Sequence, residues 1–189
     1  MKPDLLFVPH LLVPHRMSAP ELDRMLRKAG IMPVDDSFGP LTLREVGALE
    51  KRVGADLPAD IKYFLLTYGC STLPGTAFIK CKREDQPVSC FFGGKTSSYP
   101  LMEDWSGRGN KWPKEMMPIA DGPFGDRFAV VVSGKERGCI YFCPIHDMEL
   151  SYEEVDPPSD VDKILASFCK VADSFRDFIQ RLRIEPDED

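Results

Sequence analysis

From Thr42 to Tyr68 the apolar positions repeat at helical spacing, and after Cys70 the pattern shortens into β-favouring runs. Val46, Leu49 and Val53 fall at i, i+3 and i+7, so they share one stripe and leave Glu50, Lys51 and Arg52 for solvent. Thr42, followed three residues later by Glu45, is a capping box: each side chain satisfies a backbone donor that a helix start leaves orphaned. Gly54 supplies the left-handed residue that ends this helix. Pro58 suits the first turn of a second helix, whose Ile61, Phe64, Leu65 and Tyr68 again form one face before Gly69 stops it. Upstream, Ser18 with Glu21 repeats the capping signal, and Leu22, Met25, Leu26 and Ala29 predict a short helix closed by Gly30. Met1 to His15, interrupted by Pro9 and Pro14, reads as an extended arm, and Met32 to Pro40 as a link.

The second half reads as sheet that the helix pair must cover. Thr76 to Lys80, Val88 to Phe92, Pro118 to Ala120, Arg127 to Ser133 and Cys139 to Cys143 are rich in β-favouring residues and bounded by Pro and Gly. Gly134 to Gly138 predicts a hairpin link between the last two. The near-continuous apolar run Phe128 to Val132 predicts a central strand buried on both faces. Gly93 to Pro113, without periodicity, reads as a long loop. After an acidic, proline-containing linker at Asp156 to Ser159, Ile164, Leu165, Phe168, Val171, Ala172, Phe175, Phe178, Ile179 and Leu182 follow helical spacing, with a break near Asp173, and Glu185 to Asp189 reads as a frayed acidic tail.

With 189 residues the chain suits one domain with extensions. No apolar run approaches the roughly 20 residues a membrane helix needs, and Leu5 to Val13 lacks a cleavage site, so a cytoplasmic location is expected. On that basis Cys70, Cys81, Cys90, Cys139, Cys143 and Cys169 are expected to stay reduced and pack as small hydrophobes. The net charge of -6 is uneven. From Pro144 onward there are 13 acidic against 5 basic residues, which argues against nucleic acid as a direct ligand of that end and leaves a basic protein as a partner.

Leu57-Pro58-x-x-Ile61-x-x-Phe64-Leu65-x-x-Tyr68-Gly69 is followed by Met117-Pro118-Ile119-Ala120-Asp121-Gly122, then by Phe124-Gly125-Asp126-Arg127-Phe128 and Gly138-Cys139-Ile140-Tyr141-Phe142. Ile145-His146-Asp147 and the terminal Ala172-Asp173-Ser174-Phe175-Arg176-Asp177-Phe178-Ile179 continue the series. In order and spacing the stretch from Leu41 to Leu182 resembles the SUKH superfamily, in the branch that holds Smi/Knr-like cell-wall assembly regulators and many bacterial immunity proteins. Gly69-Cys70 stands where most members have Asn-Gly. The resemblance implies an α+β fold with helices packed on one mostly antiparallel or mixed sheet, no enzymatic activity, no cofactor, and a role in binding another protein, in bacteria commonly a cognate toxin. The chain then divides into an arm and short helix at 1–40, a SUKH-like domain at 41–183 and an acidic tail at 184–189. A regulatory scaffold of the Smi/Knr type, with no toxin involved, is the alternative.

Candidate chemistry is sparse. Gly94-Lys95-Thr96 imitates the end of a phosphate loop, but Ser89 stands where its first glycine belongs, and Tyr99-Pro100 denies the following helix. Cys139, Cys143 and His146 place three soft-metal ligands within eight positions, yet structural zinc wants four, and no second pair is evident. The same thiols with His146 are the only nucleophile and base close in sequence. Trp105 and Trp112, beside Arg108 and Lys111, are either an aromatic recognition site or plugs of the core. Asp121, Asp126, Asp147, Glu149, Glu153 and Glu154 fall at strand ends and in the following loop, as an acidic binding rim or as a solvated edge.

Overall fold

The computed structural model describes residues 19–33, 39–93, 113–144 and 161–186. Among these the chain order is α1 (Ala19–Lys28), β1 (Met32–Pro33), α2 (Leu43–Val53), α3 (Ala59–Thr67), β2 (Ser71–Cys81), β3 (Glu84–Phe91), β4 (Met116–Asp121), β5 (Arg127–Val131), β6 (Ile140–Cys143), α4 (Val161–Ser167), β7 (Cys169–Ala172), α5 (Phe175–Arg181) and β8 (Arg183–Pro186). The fold is α+β. The strands form one sheet in the order β1-β2-β3-β4-β5-β6-β7, with β8 added on β2. Every pairing is antiparallel.

The local signals explain most elements. The Glu45 N–H donates to Thr42 Oγ1 at 3.3 Å and the Thr42 N–H to Glu45 Oε2 at 2.7 Å, so both halves of the capping box form, and Gly54 closes α2 at φ 70°. Every position of β5 is buried, as the apolar run from Phe128 predicts. β5 and β6 pair across the Gly134–Gly138 link, Phe128 opposite Phe142. Gly69 adopts φ 62°, and a Cβ there would lie 2.8 Å from Pro40 Cα, which explains glycine at this position.

The helices meet the sheet through aromatic rings. Phe64 of α3 packs, with tilted rings, 5.2 Å from Phe91 and 5.0 Å from Phe175, and Phe178 of α5 lies 5.5 Å from Phe128 and 6.2 Å from Phe91. α1 joins the same core: Leu22 and Leu26 are fully buried, and the Tyr68 hydroxyl donates to Asp23 Oδ1 at 2.6 Å. Arg176, buried on α5, holds Glu21 of α1 at 3.8 Å and Asp60 of α3 at 3.7 Å.

Glu50 joins α2 to α3, accepting from Lys62 Nζ at 3.0 Å and from the Leu57 N–H at 3.1 Å. Burial alone would raise this carboxyl, but the Lys62 ammonium and the Leu57 N–H outweigh it and hold it below its ordinary value of 4.5. A depressed folded value contributes stability above the unfolded value that is lost as pH falls through the folded one. Glu50→Gln is therefore expected to be less stable near neutrality and to lose less on acidification, read from urea midpoints between about pH 7 and about pH 3. Parallel acid limbs in the two proteins would contradict this account.

Three expectations are corrected. The single helical pattern from Ile164 to Leu182 is helix, strand and helix: α4 ends at Ser167, β7 pairs with β6, and α5 begins after Ser174. The reason lies at Ser174, whose hydroxyl accepts the Asp177 N–H at 3.1 Å while the Asp177 carboxylate reaches back to the Asp173 N–H at 3.0 Å, so a new helix starts there. In β7, Cys169 and Val171 face inward and Lys170 outward, an alternation too short to be distinguished from helical spacing. Likewise Glu185 and Pro186 are not frayed but belong to β8, because Arg183 donates to Asp85 at 2.9 Å and lies over the Phe78 ring at 5.5 Å. Finally, not every thiol is reduced. Cys81 and Cys169 form a disulfide with Cα atoms 6.1 Å apart that joins β2 to β7, while Cys70, Cys90, Cys139 and Cys143 are buried and lie outside that bond.

Candidate functional site

Asp121 and Asp126 flank the turn between β4 and β5. Asp121 ends β4 directly opposite Arg127, the first residue of β5, and Pro123–Gly125 make a single 3-10 turn between them. The Gly122 N–H donates to the Asp126 carbonyl at 3.0 Å, pinning the link from inside. A Cβ on Gly122 would lie 3.2 Å from both Asp126 Cβ and the Pro87 carbonyl oxygen, so the approach of the turn to β3 is tight.

Arg127 organises this end of the sheet. Its Nη1 donates to Asp121 Oδ1, to the Gly125 carbonyl at 2.8 Å and to the Asp126 carbonyl at 3.0 Å, and the guanidinium lies over the Phe92 ring at 5.2 Å. Little of either partner is exposed, 11% of the Arg127 side chain and 13% of Asp121. The ion pair is thus mostly desolvated and hydrogen-bonded, the condition under which removing one partner is costly. Burial, with the negative charge of Asp121 added, pushes the nearby Cys90 thiol up to about 12, so it stays protonated and a poor nucleophile. Sequence reading missed Arg127; a cation opening an otherwise apolar strand was the available signal.

The other candidates separate. Cys143 is fully buried in β6, its thiol 3.7 Å from the Tyr141 carbonyl. Cys139 lies before β6, where burial first and the Glu136 carboxylate second push its thiol up. Glu136 accepts from Lys170 at 2.8 Å, and Lys170 reaches Asp173 at 2.8 Å, a surface network that no motif announced. Among the described residues no three His, Cys, Asp or Glu side chains converge as a metal site would require. His146, Trp105, Trp112, Asp147, Glu149, Glu153 and Glu154, and the Gly94-Lys95-Thr96 stretch, lie outside the described residues.

The order of elements from α2 to α5 is matched from end to end by the SMI1 / KNR4 family (SUKH-1), over residues 40–181. The chain belongs to that family. The SUKH-1 match takes in α2, α3, the sheet from β2 to β7, and α5, and with them the Asp121–Arg127 turn. α1 and β8 lie outside the SUKH-1 match, yet both are built into the domain, α1 through Leu22, Leu26 and Asp23, and β8 through its pairing with β2. No curated protein matches the chain. Among the described residues no helix is long and apolar enough to cross a membrane.

Proposed function

We propose that this protein is a non-enzymatic, cytoplasmic binding module that neutralises a cognate toxin by stoichiometric occlusion, the toxin presenting a basic, nuclease-type active-site cleft. Membership of the SUKH-1 family carries the reading. The charge distribution supports it: the excess of 13 acidic over 5 basic residues from Pro144 onward suits a partner built to hold phosphates. In this reading Asp147, Glu149, Glu153 and Glu154 form the acidic rim with Asp126, and Trp105 and Trp112 supply aromatic anchors. Asp121 contributes to the field of that rim while its carboxylate is held by Arg127.

Co-expression with the product of the neighbouring gene is expected to rescue growth, with affinity of about nanomolar or better, around -12 kcal/mol. A neighbour that kills equally with and without this chain removes the idea, and the absence of any toxic neighbour points to a regulatory scaffold of the Smi/Knr type. Reversing Asp147, Glu149, Glu153 and Glu154 to lysine is expected to slow association by about 10-fold or more at low salt and to flatten its salt dependence. Asp121 is excluded from that set, because its reversal would set two cations against each other beside Phe92. Unchanged association kinetics would place the binding face elsewhere.

A further inference from the structure

We propose that the Cys81–Cys169 disulfide is a reducible clasp that fastens the β2–β3 hairpin to the α4–β7 corner and is opened by a dithiol from solvent. Three observations carry it. First, the bond joins two strands that are not a hydrogen-bonded pair among the described strand pairings. β2 pairs with β1, β3 and β8, and β7 pairs with β6, so the 88-residue link is the only bond across the mouth of the curl between Cys81 and Cys169 among the described strand pairings.

Second, the bond is reachable. A cavity of about 480 Å³ is lined by both cysteines together with Lys82, Arg83, Glu84 and Gln86 on one side and Phe142 and Ser167 on the other. Lys82 and Arg83 follow Cys81 directly, and their positive charge draws an anionic thiolate and favours a departing one, with Glu84 the opposing charge in the same wall. Cys70 and Cys90, buried like the bonded pair, do not line this cavity.

Third, opening is local. α5 keeps Phe175, Phe178 and Ile179 in the core, and the Phe178 contacts with Phe91 and Phe128 do not depend on the bond. The hairpin end and the α4–β7 corner are the parts released. Lys82 holds a left-handed φ of 55° because Lys82 and Arg83 form the two-residue loop of the β2–β3 hairpin, so the tip keeps its turn whether the bond is open or closed.

The chemistry balances as thiol–disulfide exchange. One thiolate of the dithiol attacks a sulfur of the pair, the S–S bond breaks, and the other sulfur leaves as a thiolate and takes up a proton. The second thiolate of the reductant then attacks the mixed disulfide and releases the first sulfur, also protonated. Two electrons pass from the dithiol, which ends as a disulfide, to the chain, which ends with two thiols.

The test uses the full chain, equilibrated with excess oxidised glutathione and then treated with dithiothreitol in native buffer. Alkylation and mass spectrometry are expected to find Cys81 and Cys169 blocked at first and free afterwards, at a rate proportional to dithiothreitol and with circular dichroism unchanged. Hydrogen exchange should rise in 79–86 and 161–172 and stay constant in α3 and β5, and Tm should fall by about 5–15 °C. Reoxidation should reverse all of this, and a Cys81→Ser, Cys169→Ser variant should behave as the reduced chain in the presence or absence of reductant. The proposal is overturned if the pair never forms in oxidised glutathione. It is equally overturned if reduction occurs only at the rate of global unfolding, independent of dithiothreitol, or if exchange in the two segments does not change.

Discussion

Phe178→Ala is expected to cost about 3–5 kcal/mol, the range for emptying a fully buried aromatic site that cannot collapse. Phe178 is 0% exposed and stands between Phe128 of β5 and Phe91 of β3, so its ring is where α5 meets the centre of the sheet. Neither neighbour can follow into the void, because Phe91 is also held by Phe64 and Phe175, and Phe128 by Phe142. Domains carry only about 5–15 kcal/mol of net stability, so this one ring is a large share of the total. Urea denaturation should show a lower midpoint with an unchanged slope, and Phe178→Leu should lose much less, about 1.5 kcal/mol or below. Equal losses for Leu and Ala would show that ring packing is not what holds α5 down.

Arg127→Met is expected to cost about 3 kcal/mol, at the low end for breaking a buried pair because both side chains keep a little solvent contact. The loss has two parts: Asp121 loses the guanidinium it is paired with, and the Gly125 and Asp126 carbonyls lose the Arg127 donor, the Asp126 carbonyl keeping the Gly122 N–H. The methionine still covers Phe92, so the packing part is small. Adding Asp121→Asn should therefore restore part of the stability, with a coupling of about 0.5–3 kcal/mol in the double-mutant cycle. Additive losses would mean that the pair contributes nothing beyond its separate contacts. If the β4–β5 turn also presents Asp126 to a partner, Arg127→Met should weaken binding, through loss of the fixed turn and not of a direct contact.

The same two positions show how far the chain can be read as a string. Thr42 with Glu45, Gly54, the Gly134–Gly138 link and the apolar run of β5 announce themselves because each is completed by residues a few positions away. A cap, a hairpin link and a periodicity are local bargains between neighbouring backbone groups, and the same reading brought out the order of motifs that marks the SUKH-1 family. Arg127 is different. Alone it is a surface cation, and only the return of β4 beside β5, with Phe92 just past the end of β3 against it, turns it into a buried partner of Asp121.

What the amino-acid order determined, then, was the α2–α3 pair, the central hairpin, the α+β character and the family. The tertiary structure decided the rest. It made Cys169–Ala172 a strand inside a helical-looking pattern, gave Arg183–Pro186 a place on β2, and closed a disulfide across 88 residues. The physical reason is one of distance along the chain. The pairing of β8 with β2 and the meeting of Cys81 with Cys169 depend on partners many tens of residues away, and the burial of Arg127 needs Phe92 as well as the nearby Asp121, so these positions exist only once the sheet has formed.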